Sequence, residues 1–151
     1  MEIKILSNQF LDYSVIALQE VDEAIKNCTG SNQKKLLVVY NSNKTKAESI
    51  EFLKKILSAA KFDIKDDILL LGTTSKQGFS FISMRTKVAF DNILVFGFPP
   101  TYLGLNIDIN SYQPIHFNDC GFLFADDLSL LESNKQLKGE LWMGMKELFK
   151  I

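Results

Sequence analysis

The side chains able to do chemistry are few and scattered. His116 is the single histidine, and a His-based metal site, a Ser-His-Asp triad or a Cys-His pair would have to pass through it. No nucleophile signature surrounds any Ser or Cys, and His116 lies in a Tyr-Gln-Pro-Ile-His-Phe stretch that reads as a strand, where a hydrogen-bonded structural histidine is expected. Cys28 and Cys120 are too few and too far apart in sequence for a disulfide framework or a CxxC metal site. Neither GxGxxG nor GxxxxGK[ST] is present; Gly72-Thr73-Thr74-Ser75-Lys76-Gln77-Gly78 has small and basic residues after an apolar run, but an N-capping turn is favoured there over a phosphate cradle. The acid pairs Asp66-Asp67 and Asp126-Asp127 precede apolar runs and suit turns and caps. No catalytic residue, metal site or cofactor is therefore expected.

Charge placement narrows the partners. The 17 basic and 18 acidic residues nearly cancel, but no Lys or Arg occurs between Val88 and Asn134, where Asp91, Asp108, Asp119, Asp126, Asp127 and Glu132 lie. Affinity for nucleic acid comes largely from cations set against phosphates, so no strong nucleic-acid surface is expected there. With no apolar run long enough to span a bilayer and neither a basic start nor an apolar core in Met1 to Phe10, a cytoplasmic protein without a membrane anchor is expected. The loop Gly97-Phe98-Pro99-Pro100-Thr101-Tyr102-Leu103-Gly104-Leu105 is the most unusual local feature. Its prolines stiffen it, and Phe98, Tyr102 and Leu103 either form an exposed aromatic turn suited to a protein partner or close one end of a core that must house 12 Phe residues.

These loops need a scaffold, and the apolar pattern specifies one. Leu36 to Tyr40, Ile68 to Leu71 and Ile93 to Phe96 are short continuous apolar runs, as expected of strands buried on both faces. Between the first two, Thr45 and Glu48 offer a capping box, and Ile50, Leu53, Ile56, Leu57 and Ala60 recur at helical spacing, with Glu48, Glu51, Lys54, Lys55 and Lys61 on the solvated side and Glu51 paired to Lys55. Phe79 to Val88 reads as a short helix, Tyr112 to Phe117 and Phe122 to Phe124 as shorter strands, and Lys135 to Phe149 as a closing helix. In that last helix Leu137, Leu141, Met145 and Leu148 form the apolar stripe. Gly144 falls inside the stripe, which implies close approach to the sheet, and Lys138 must snorkel or find an acid. Thr29 to Asn32 reads as a loop. Residues 1–151 form a single α/β domain, a three-layer α/β/α sandwich with a mostly parallel central sheet of four to five strands, and residues 1–12 are a flexible or partner-docking segment. Binding sites in such sheets gather at the carboxyl ends of the strands.

The C-terminal stretch Leu128-Ser129-Leu130-Leu131-Glu132-Ser133-Asn134, followed by Lys138 and by Leu141-Trp142, resembles the psi subunit of bacterial DNA polymerase III, which has a Leu-x-x-Leu-x-x-Asn stretch leading into a helix with Leu-Trp. The same order of elements continues upstream to Lys35. The resemblance implies a domain related in fold to uracil-DNA glycosylases but without their catalysis. It also implies a connector role in the clamp-loader assembly, with Ile3, Ile5, Leu6 and Phe10 as docking side chains on a clamp-loader component and Trp142 as packing. Where glycosylases carry a Gly-x-Asp-Pro-Tyr type loop, Phe98 and Pro99 stand in place of a polar residue. The alternative is a divergent nucleotide or nucleic-acid processing enzyme that uses the carboxyl-end loops.

Overall fold

The structure, a computed structural model of the 151-residue chain, describes residues 21–44, 46–73 and 78–151. Helical residues 21–26 (α1) lead to β1 (Cys28–Thr29) and β2 (Leu36–Asn41), then α2 (Ala47–Ala59), β3 (Ile68–Thr73), α3 (Phe81–Lys87) and β4 (Asn92–Phe96). A 3₁₀ turn (Pro100–Leu103) precedes the hairpin of β5 (Ile115–Phe117) and β6 (Cys120–Ala125), and α4 (Leu128–Ser133) and α5 (Lys135–Phe149) close the chain. The sheet has six strands in the order β1-β3-β2-β4-β6-β5. The four central strands are parallel, and the short edge strands β1 and β5 are antiparallel to their neighbours.

The continuous apolar runs have a simple cause. Alternate residues of each central strand enter two separate cores, Leu37, Val39, Ile93, Val95, Phe122 and Phe124 on one face and Leu36, Val38, Leu94, Phe96, Leu123 and Ala125 on the other. With both faces covered, no position in the strand is left for a polar residue. The first face is closed by Val21, by Phe81 and Met84 of α3, and by Tyr102, Leu103 and Leu105. The second is closed by Leu53 and Leu57 of α2, Leu128 and Leu131 of α4, and Leu141, Met145 and Leu148 of α5. Gly144 brings α5 against β6 as its position in the stripe implies; a Cβ there would stand 2.7 Å from the Tyr112 carbonyl oxygen and 3.0 Å from Leu123 Cδ1.

Several expectations need correction. The sheet has six strands rather than four to five, because Cys28–Thr29, read as the end of one element and the start of a loop, pairs with Leu71 and Leu70. Lys46 stands at the N-cap of helix α2 and its side chain makes no cap bond; the capping box expected of Thr45 and Glu48 falls on Thr45, which lies outside the described residues. Glu51 pairs with Lys54 at 3.1 Å and not with Lys55. The strand expected from Tyr112 begins only at Ile115, since Tyr112 has φ 69°, in the left-handed region, and Pro114 has no N–H to donate to a ladder. Asn118 (φ 51°) and Asp119 (φ 59°) make the two-residue turn of the β5–β6 hairpin, the mirror-image turn whose twist matches that of paired strands. The single arginine, Arg85, donates to the Asn118 carbonyl and holds that turn against α3. Among the described residues no helix is long and apolar enough to cross a membrane.

Candidate functional site

The chain passes from β2 through α2 to β3 on one side, then back through α3 to β4 on the other side of β2. The connections after β2 and β4 therefore diverge to opposite faces, and the carboxyl ends of these two strands bound the crevice where α/β sheets bind ligands. Asn41 ends β2, Gly97 follows β4, and Asp127 follows β6, whose Ala125 is in register with Phe96.

Gly97 has φ +84°, and a Cβ on it would collide with the Asp127 carboxylate, with Asn41 Cβ at 3.4 Å. Asp127 stands at the N-cap of α4, yet its side chain makes no cap hydrogen bond there and lies over Gly97. Asn41 Oδ1 accepts from the Asn43 N–H at 3.1 Å, and the Gly97 N–H donates to the Ala125 carbonyl at 3.0 Å. Asp126, the other member of the pair, accepts the Tyr112 hydroxyl proton and gives its own N–H to the Tyr112 oxygen at 3.2 Å. Burial and this carboxylate push the Tyr112 hydroxyl well above the ordinary tyrosine value.

The Gly97–Leu105 loop folds inward. Leu103 is fully buried and Tyr102 nearly so, at 0% and 6% exposure, while Phe98 is half-buried and stacks on Tyr102 with ring centres 4.0 Å apart. The Phe79 N–H donates to the Tyr102 carbonyl at 2.9 Å, which clasps the segment after β3 to this loop. The Tyr102 hydroxyl is raised by burial and partly brought back by a hydrogen bond with Thr73. Of Phe98, Tyr102 and Leu103, only Phe98 keeps appreciable surface, so the latter two are core side chains; Pro99, Thr101 and Gly104 are the exposed positions. Ile3, Ile5, Leu6 and Phe10 lie outside the described residues, as does most of the loop after Thr73.

The remaining chemistry-bearing groups do not converge. His116 is exposed on the edge strand β5. The thiols of Cys28 and Cys120 are pushed up to about 11 by burial, which keeps both protonated and unreactive near neutral pH. Asp67 pairs with Lys34 at 3.5 Å and accepts the Asp63 N–H at 2.8 Å, a structural use. Among the described residues no group of three His, Cys, Asp or Glu could hold a metal ion.

The C-terminal motif is built around α5. The Asn134 side chain caps the helix, accepting from the N–H groups of Gln136 and Leu137 at 3.1 and 3.2 Å, and Asn134 also ends α4. Leu141 is buried and Trp142 packs half-buried on the second core. Lys138 extends over Phe52 of α2 with its ammonium 5.2 Å from the ring centre. Beside it lies a surface groove of about 490 Å³ lined by Glu48, Glu51, Phe52, Lys55, Glu132 and Lys138.

Sequence reasoning points to Asn41 and Gly97 as strand carboxyl ends but does not bring Asp127 to them, and it missed this groove. The place of Asp127 had a signal: aligning the ends of the apolar runs 93–96 and 122–125 as parallel neighbours puts Gly97 beside the Asp126-Asp127 pair. The groove had none, since contact between α2 and α5 follows from the tertiary fold. No known family model matches the chain, and no curated protein does.

Proposed function

We infer that this chain is a non-catalytic protein–protein connector, akin to the psi subunit of the bacterial replicative polymerase and working within a clamp-loader assembly. In this reading the helices on the two sheet faces make a three-layer sandwich of the uracil-DNA glycosylase type. The four parallel strands and the order of elements from Lys35 to Phe149 support it, as does the C-terminal motif, whose Asn134, Lys138, Leu141 and Trp142 are a cap, a groove wall and two packing residues. One observation carries the absence of chemistry: at the end of β4, where a water-directing polar group would be needed, Phe98 stacks on a buried Tyr102 beside a fully buried Leu103. Flipping and holding a base also requires cations beside the pocket, and no Lys or Arg occurs from Val88 to Asn134. The test is affinity capture from native lysate with the full chain as bait. Recovery of a clamp-loader component is the expected result, and its absence refutes the replication role.

A second reading, a divergent nucleotide or nucleic-acid processing enzyme, is favoured by the Asp127 carboxylate over Gly97 at the carboxyl-end crevice. Release of uracil from single-stranded DNA by the purified chain, lost in Asp127→Asn, would establish it in place of the connector.

A further inference from the structure

Four residues of α2, Glu48, Glu51, Phe52 and Lys55, line one side of the groove, and Glu132 of α4 and Lys138 of α5 line the other. Positions 48, 51, 52 and 55 fall on one helix face, so the charges run in order along the groove. Glu48 and Glu51 stand at the amino-terminal end of α2, joined there by Glu132, which Ser49 fixes through a hydroxyl hydrogen bond of 3.0 Å. Ser49 is 1% exposed, the one buried polar side chain among the described residues, so this carboxylate is held in place from inside the fold. Phe52 lies at the middle under the Lys138 ammonium, and Lys55 stands one turn further on. Among the described residues only Glu51 of these charged groups has an ion-pair partner, Lys54 on its own helix. The groove therefore offers carboxylates at one end, an aromatic ring capped by the Lys138 ammonium at its middle and the Lys55 ammonium at the other end.

We propose that this groove is where the connector receives a helical segment of a partner protein. The occupant presents along one face a Lys or Arg, an apolar side chain, and an Asp or Glu. The cation meets Glu48 and Glu132, the apolar side chain lies beside Phe52 along the Lys138 stem, and the carboxylate meets Lys55 and the Lys138 ammonium. Glu48 to Lys55 is two helical turns, roughly 10 Å, so the two charges of the occupant are six to eight residues apart. Charge order rather than apolar area sets the choice of partner, because unlike charges brought face to face favour one docking and like charges reject the others. This placement rests on the connector reading and names its surface.

The experiment pans a displayed library of randomised helical peptides against the full chain and titrates the enriched peptides on the wild type, Glu48→Lys and Lys55→Glu. Both substituted side chains are exposed, so urea unfolding should show both variants folded, each within about 1 kcal/mol of the wild type, the loss coming from a lysine in the first turn of α2 and from a second glutamate one turn after Glu51. The expected peptides carry opposite charges two turns apart with an apolar residue between, and each variant weakens them about fivefold. No enrichment, or binding indifferent to both variants, overturns the proposal. So does a dimer of the chain alone that either substitution disperses, which would give the groove to a second copy. Capture of a clamp-loader component undiminished in both variants would refute the groove while leaving the connector reading intact.

Discussion

The Asp127 carboxylate rests on the bare Cα of Gly97, joining the end of β6 to the end of β4 across two neighbouring parallel strands. Gly97 is needed twice, for its φ of +84° and for the space above it. Gly97→Ala is expected to cost about 2 kcal/mol, from the left-handed backbone and from displacement of the carboxylate. In Asp127→Ala the steric part disappears, so the double variant should be more stable than the sum of the two single losses. Urea unfolding of the four proteins forms the cycle, and strict additivity would show that the two residues do not interact.

Asn134 ends one helix and starts the next, and its side-chain oxygen serves two amides of α5. Asn134→Ala should lower stability by about 1 kcal/mol, whereas Asn134→Asp or Asn134→Ser should stay within a few tenths of a kcal/mol. Thermal unfolding distinguishes these outcomes, and equal losses in all three variants would exclude capping as the cause. Leu141→Ala, which empties a fully packed site, should cost more, about 3 kcal/mol.

What was legible in the sequence was local. The runs at Leu36, Ile68 and Ile93 identified themselves because both faces of each strand are buried, and α5 could be placed from Lys135 to Phe149 by its apolar stripe. Cys28–Thr29 carries no strand pattern of its own; it is a strand because Leu71 and Leu70 of β3 present an open edge. Likewise, Tyr102 and Leu103 could have faced either way until the Phe79 N–H fixed the Tyr102 carbonyl and turned the loop inward. Asp127 could be expected as a cap because its position is a helix start; what its side chain does instead follows from β4 and β6 being parallel neighbours, and only once that pairing is given do the ends of the two apolar runs set Gly97 beside the acid pair.

The two thiols give the fold an alkaline limit. Each has an ordinary value of 9 and is raised to about 11 by burial, so an unfolded chain loses both protons before the folded chain does. Stability from this source is complete below pH 9 and is lost as pH climbs toward 11, with each group adding up to about 1.4 kcal/mol per pH unit to the slope. Urea midpoints measured from pH 8 to 11 should fall accordingly. Cys28→Ala and Cys120→Ala should each remove their own share of that fall, whatever their effect at pH 8, with Tyr112 and Tyr102, also raised by burial, adding to it above pH 10. An unchanged slope in both variants would rule out the thiols as its source.

The two glycines of α5 allow a sharper test of how that helix meets the sheet. A Cβ on Gly139 would have nothing within 4 Å, while one on Gly144 would press on the Tyr112 carbonyl at 2.7 Å, a backbone atom that cannot swing aside. Both substitutions to Ala gain the same helix propensity, about 1 kcal/mol. Gly139→Ala should therefore stabilise the protein by that amount. Gly144→Ala must push α5 away from β6 or distort the turn at Tyr112, at a cost of about 1–3 kcal/mol, and the same shift would strain the hydrogen bonds between Tyr112 and Asp126. The net sign should be opposite in the two variants. Denaturant unfolding provides the sign, and near-ultraviolet circular dichroism should report the displaced tyrosine only in Gly144→Ala. Stabilisation by both would mean that the helix does not approach the sheet as closely as Gly144 permits.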